Sequence, residues 1–334
     1  MKIKTKALPI FEEGPFTDLV TEFILYKRSC GLSYVDSAAY TLRKICGQLN
    51  QYPSKNKELT QPMVFKIVEK RPHERYSTQS RRITYIRQFA IYLNRKGYMA
   101  YIYPECSIHK EETTFVPYLF SVHEIERIMD AADSLPKIRR YPQYHRVYPV
   151  LVRLLYSCGL RLSEALHLMV KHYDPQEKTI LIEKSKNFKS RVIPISESMS
   201  LVLAAYLENR FGLCPEAEKY IFEAPDGNVY NRGSVRSTVY SIFKKAGLPH
   251  NIEENHPNVH SFRHNFAVRA MEKMQSEGMD IYCTLPVLAA YLGHKGVRET
   301  ERYLRLPDFR MDEIANANNN LVEGMIPEVP QDEM

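Results

Sequence analysis

Residues 147–169, VYPVLVRLLYSCGLRLSEALHLM, decide how the second half of the chain is read. Val147 to Ser157 is a largely apolar run whose spacing predicts a helix, and Gly159 stops it. Leu162 begins a second helix almost at once, running to Met169. Arg161 therefore stands at the start of a helix, beside free backbone N–H groups that favour an anion. Downstream, Thr179–Glu183 and Arg191–Ile195 are apolar and partly β-branched, and they flank the basic turn Lys184–Lys189. That is the pattern of a β-hairpin, and Lys219–Glu223 reads as a third short strand. Gly233–Ala246, Ser261–Gln275, Leu285–Leu292 and Arg298–Leu304 read as helices. Upstream, Ser121 and Glu124 form a capping box ahead of Ile125 and Ile128. The expected fold is mainly α with a small antiparallel β-sheet, in a domain spanning residues 117–306.

Residues 106–116 lose this periodicity and gather charged and β-branched side chains, as a linker does. Before them, residues 1–105 read as a separate helical domain. Thr17–Cys30 is closed by Gly31, a second run from Tyr34 ends in the polar stretch Gln48–Lys57, and Ser77–Lys96 is closed by Gly97. In that last run Ile83, Ile86, Phe89, Ala90 and Leu93 share one helical face. Arg81, Arg82 and Arg87 lie off the stripe, either as a solvated surface or as contacts for a phosphate backbone.

A length of 334 residues fits two domains, and 44% hydrophobic with 25% charged residues fits a folded chain. No G-x-G-x-x-G or G-x-x-x-x-G-K-[ST] occurs, which argues against nucleotide-driven chemistry. No run approaches a membrane span and the start, MKIKTKALPIFEEGPF, lacks an apolar signal core, so a cytoplasmic chain with no membrane partner is expected. Six scattered cysteines without a C-x-x-C pair suit reduced thiols and offer no zinc site. Net charge is +7, but residues 307–334 hold seven acids and one base, so residues 1–306 carry +13. A basic body with an acidic tail suits a polyanionic partner.

Four further groups bear chemistry. In His260-Ser-Phe-Arg263-His264 the imidazole and the guanidinium, three apart, can converge on one phosphate. The pair His260 and His264 also has metal-ligand spacing, but no acid lies between them and the guanidinium beside them repels a cation, so no metal is expected and His264 is expected to cap or pack. Arg161 with Arg263 supplies two clamps for the non-bridging oxygens of a phosphodiester. The turn from Lys184 to Arg191 carries Lys184, Lys186, Lys189 and Arg191, which either touch the DNA backbone or hold a proton donor near a scissile bond. Leu292-Gly293-His294 is followed nine residues on by Tyr303.

Taken in order, G-L-R-x-S-E at Arg161, a lysine in a β-turn, H-x-x-R-H, L-G-H and the tyrosine resemble the tyrosine recombinase, or phage integrase, family. The resemblance covers residues 117–306; residues 1–105 are similar to that family's core-binding domain in general character. It implies that Arg161 and Arg263 clamp the scissile phosphate, His260 is the acid/base histidine, His294 supports it, Tyr303 is the nucleophile and Glu164 supports the site. Lys186 aligns with the general acid, although Asn187 replaces the usual glycine and Lys184 and Lys189 compete for the role. The implied activity is site-specific DNA recombination of the integrase or transposase type through a 3′-phosphotyrosine, with no cofactor, neither ATP nor metal. The implied partners are double-stranded DNA, further copies of the chain in a tetramer on paired sites, and an accessory recombinase or directionality factor. The tail, 307–334, would dock into a neighbouring protomer or cover the basic groove. The rival readings are a type IB topoisomerase-like nicking and resealing enzyme and a non-catalytic DNA-binding regulator.

Overall fold

Among the described residues before 106, four helices close around a single apolar core. The computed structural model describes residues 8–32, 34, 36–53, 56–105, 117–183, 190–250, 256–294 and 296–301, and divides the chain into two units, Met1–Thr114 and Phe115–Met334. The first unit contains α1 (Thr17–Ser29), α2 (Asp36–Leu49), α3 (Gln61–Val68) and α4 (Tyr76–Arg95). The stripe of α4 is buried as its spacing predicts, with Ile86, Phe89 and Leu93 packed among Phe23, Leu42 and Val64 of the other three helices. The short α3 was not anticipated. Its eight residues make little more than two turns, and Pro62 sits at the helix start, where a missing N–H costs nothing.

Arg82 departs from its expected place. It is 4% exposed, and its guanidinium donates to both oxygens of Glu74 at 2.5 and 2.9 Å and to the Glu69 carbonyl at 2.7 Å. It flanks the apolar stripe closely enough for the loop before α4 to fold over it, so it is an internal ion pair and not a DNA contact. Arg87 is half-buried and reaches Glu105 at 3.4 Å, while Arg81 remains exposed.

The second unit is built on α6 (Tyr144–Cys158), whose Val147, Leu151, Val152, Leu154 and Leu155 are fully buried. Around it pack α5 (Val122–Asp133), α8 (Glu197–Phe211) and α10 (Ser261–Ser276). The Ser121–Glu124 capping box is present at the start of α5. The remaining helices are α7 (Leu162–Leu166), α9 (Arg232–Lys245), α11 (Ile281–Leu292) and α12 (Arg298–Glu301). The sequence pattern does not single out α8, because its apolar residues spread around the axis: Leu203 is buried while Leu201 faces solvent.

The sheet is antiparallel in the order β1 (Tyr173–Asp174), β2 (Thr179–Ile182), β3 (Arg191–Pro194), with Ile180 opposite both Tyr173 and Ile193. The hairpin forms as expected, but the third strand is Tyr173–Asp174 and not Lys219–Glu223. The latter segment hydrogen-bonds to Leu168 and Val170, making only isolated bridges, and is thereby held away from the sheet.

The buried pair sets a stability test. Glu74→Ala leaves Arg82 as an uncompensated buried cation, and should cost about 3–5 kcal/mol of folding stability in chemical denaturation. Arg81→Ala should change it by less than about 0.5 kcal/mol; comparable losses would place Arg82 in solvent.

Candidate active site

The site forms where two helices end. Gly159 closes α6 in the left-handed conformation, φ +58°, and a Cβ there would lie 2.5 Å from the Phe266 ring. Glycine satisfies both demands. Two residues later Arg161 caps α7, and Glu164 accepts from its backbone N–H at 3.0 Å and from its Nη1 at 2.8 Å. Gly293 closes α11 in the same way, φ +67°, and a Cβ there would lie 2.7 Å from Arg191 Nη1.

Arg263, in the first turn of α10 and 1% exposed, spans both ends. Its Nη1 donates to the Gly159 carbonyl at 2.9 Å and its Nη2 to the Leu292 carbonyl at 2.5 Å. Arg161 reaches the same Leu292 carbonyl at 3.3 Å and the Gly293 carbonyl at 3.2 Å. The carbonyls at a helix C-terminus carry partial negative charge and lack intrahelical donors, so they suit guanidinium forks. The two predicted clamps, from segments about a hundred residues apart, therefore meet.

Glu164 is the carboxylate of this cluster and is buried. Arg191 donates to its two oxygens at 3.2 and 2.9 Å, and Arg263 lies 3.9 Å away. Burial alone would raise the Glu164 pKa, but the hydrogen bonds and charge of Arg191, with the contacts to Arg161, bring it below the usual carboxylate range. Arg191 also donates through Nε to the Tyr291 carbonyl at 2.6 Å. It was expected to contact DNA; with its side chain 12% exposed and all three nitrogens engaged, it belongs to the interior of the cluster instead. The side chain of strand position 191 points inward here, beside buried Glu164, which the hairpin's basic composition did not reveal.

His260 is the N-cap of α10, with its backbone N–H on Asn258 Oδ1 at 2.8 Å. Its ring meets that of His264 edge-on, 4.6 Å between centroids, so His264 packs against it. Burial among surrounding atoms, and then the positive charges of Arg263 and Arg161, push His260 down to about 4, although one side reaches solvent. Burial and Arg263 bring His294 to about 4, and burial and His260 bring His264 to about 3. At neutral pH all three imidazoles are uncharged, so each has a free ring nitrogen lone pair, although the neighbouring cations make it a weak base.

His294 Nδ1 lies 2.8 Å from Thr300 Oγ1, which is fully buried in α12. Sequence reasoning does not single out that hydroxyl, whose only sequence signal is its place three residues before Tyr303, whereas it names Arg191 but gives it the wrong role. Tyr303, Lys186, Lys184 and Lys189 lie outside the described residues, as do the linker 106–116 and the tail 307–334. Among the described residues no group of three His, Cys, Asp or Glu side chains could hold a metal ion, and no helix is long and apolar enough to cross a membrane.

A model of the phage integrase family matches residues 119–309, more than half of the chain. The integrase/recombinase-type protein y4rB of Sinorhizobium fredii is 29% identical over 299 residues, covering 86% of this chain and 92% of that protein. The tyrosine recombinase XerC of Oceanobacillus iheyensis is 28% identical over 230 residues, 67% of this chain and 68% of the relative. Among solved structures, a XerH site-specific recombinase in a post-cleavage complex with its palindromic difH substrate matches with a TM-score of 0.62 at 19% identity, covering 91% of this chain and 97% of that one. A lambda integrase dimer bound to a COC′ core site, residues 75–356, matches with a TM-score of 0.59 at 13% identity, over 84% and 95%. These structural likenesses establish the shared fold.

The three depressed imidazoles make folding sensitive to acid in a defined window. Each binds protons more tightly in the unfolded chain, with the ordinary value of 6.5, than in the fold. Their stability contribution is therefore complete above pH 6.5 and is lost as pH falls toward 4. The thermal midpoint should drop between pH 7 and pH 5, and His264→Leu should flatten the drop; a level profile in the parent chain would contradict the assigned environments.

Proposed function

The chain belongs to the phage integrase family, and on that premise we propose that it is a site-specific DNA recombinase that breaks and rejoins strands through a covalent 3′-phosphotyrosine. The observation that carries this reading is the meeting of Arg161 and Arg263 on the Leu292 carbonyl, with Arg161 partly open to solvent and His260 and His294 uncharged beside the cluster. Guanidiniums fixed in advance on helix termini need no reorganisation as charge builds on a phosphate.

In the proposed step the Tyr303 oxygen forms a bond to phosphorus while the bond from phosphorus to the 5′ oxygen breaks. The phenolic proton passes to neutral His260, and the leaving 5′ oxygen takes a proton from the basic turn, from Lys186. Arg161, partly open to solvent, meets a non-bridging oxygen directly, whereas Arg263, 1% exposed and bonded to the Gly159 and Leu292 carbonyls, has to exchange one of those carbonyls for the second oxygen when DNA enters. The phosphotyrosine retains the energy of the broken bond, so a 5′ hydroxyl from a partner strand reverses the step without ATP. Charge neutralisation by arginine serves where other phosphoryl-transfer enzymes use a divalent ion.

The partners under this reading are duplex DNA and further copies of the chain, assembled as a tetramer on paired sites. Residues 1–105 act as the core-binding domain, 106–116 as linker and 117–306 as catalytic domain. The acidic segment 307–334 serves docking between protomers. The protein would work in the cytoplasm, in contact with the duplex DNA it rejoins.

The test is capture of covalent adducts. The full chain is incubated with a pool of random-sequence duplexes carrying nicks, from which a short cleaved fragment escapes, and detergent-resistant complexes are recovered and sequenced. The parent chain should yield adducts on a defined site, and Tyr303→Phe should yield none while binding the same duplex with unchanged affinity. An adduct that persists in Tyr303→Phe would remove that residue from the mechanism.

A further inference from the structure

We propose that Arg191 is a positioning residue of the reaction, acting through Glu164 and the end of α11 to keep Arg161 available to the phosphate. The inference deepens the recombinase reading and rests on it.

Glu164 is one carboxylate among three guanidiniums. Arg191 occupies both of its oxygens as a fork, whereas the Arg161 side chain takes a single contact to Oε1. The division follows from geometry. Arg191 Nε is anchored on the Tyr291 carbonyl, and its Nη1 fills the space that a side chain at Gly293 would need. The fork therefore cannot turn away from Glu164 without breaking a 2.6 Å hydrogen bond and opening a void beside Gly293.

Without Arg191, the carboxylate would be left with Arg161 and the more distant Arg263. Arg161, already bonded to Oε1, is the group best placed to close onto it in a two-pronged pair. Its nitrogens would then face Glu164 instead of the phosphate, and the cluster's surplus of positive charge would fall from two to one. Both changes weaken the field where negative charge grows in the transition state more than they weaken ground-state DNA binding, which is spread over many phosphates.

Arg191 also joins elements that bear other parts of the site. It starts β3, bonds the last turn of α11, and meets the helix-opening Glu164 of α7. Tyr291 extends the junction, stacking on Phe266 of α10 at 5.1 Å. One side chain thus sets the spacing between the sheet and the Leu292-Gly293-His294 turn.

The experiment uses the duplex captured by the parent chain and measures single-turnover adduct formation at saturating DNA, alongside the dissociation constant over a range of salt. Arg191→Gln should slow adduct formation at saturation about a hundredfold, the scale of losing one pre-organised charge donor, with affinity changed less than about threefold. Arg191→Lys, which keeps the charge but not the planar fork, should fall between the two. Because Arg191 acts through Glu164, the Glu164→Gln/Arg191→Gln double variant should be slower than the worse single variant by no more than about threefold, all rates being read below each melting transition.

Weaker binding with a salt slope reduced by about 0.9, and a normal rate at saturation, would make Arg191 a phosphate contact and overturn the proposal. So would multiplicative losses in the double variant, which damage to the fold at two separate points would produce. Failure of the parent chain itself to form an adduct would strike the recombinase reading, an outcome visible before any Arg191 variant is tested.

Discussion

Three guanidiniums crowded together repel one another, and the fold holds them by offering the carbonyl ends of two helices and one carboxylate. The Gly159 carbonyl takes Arg263, the Leu292 carbonyl takes Arg263 and Arg161, the Gly293 carbonyl takes Arg161, and the Tyr291 carbonyl takes Arg191. Each acceptor is left without a helical partner because a left-handed glycine ends the helix there. The glycines, usually read as stop signals, are thus what makes the acceptors available. A methyl group at either position would collide with Phe266 or Arg191, so the backbone conformation and the side-chain packing select the same residue.

The buried carboxylate completes the balance without neutralising it. Glu164 answers one of three positive charges, and it stays ionised because Arg191 and Arg161 bond it directly. A carboxylate kept charged inside the protein is costly unless its lone pairs are filled, and here they are. What remains is a positive site whose groups are already oriented, an arrangement suited to an anion that gains charge as it reacts.

Much of this was legible before any coordinates, for physical reasons that differ from residue to residue. Gly159, Arg161 and Glu164 lie within six positions, so their relation is local and follows from helix termination and capping. The stripe of α4 and the hairpin are readable because periodicity reports burial. Arg82 and Arg191 were misplaced because both sit in basic stretches while their partners, Glu74 and Glu164, approach through the fold; charge composition cannot tell an internal ion pair from an exposed contact. The third strand failed for the same kind of reason. Lys219–Glu223 has strand-like composition, yet its backbone groups are taken by Leu168 and Val170, whereas Tyr173–Asp174 is too short to register as a pattern. Thr300 carries no sequence signal beyond its distance from Tyr303, and its meaning appears only when His294 is 2.8 Å away.

The electrostatics of the histidines follow from the same cluster. Burial and the positive charges of Arg263 and Arg161 hold His260 near 4, which makes it neutral but also a weak base. A phosphodiester seated between those arginines is an anion placed beside the charges that depress the imidazole. By Coulomb's law it opposes their effect. Under the proposed reaction, the affinity of His260 for a proton would therefore rise when DNA occupies the clamp, at the step where the Tyr303 phenol gives up its proton. The unfavourable charge crowding of the empty site and the strength of its base in the filled one are two states of a single network, coupled through Arg161 and Arg263.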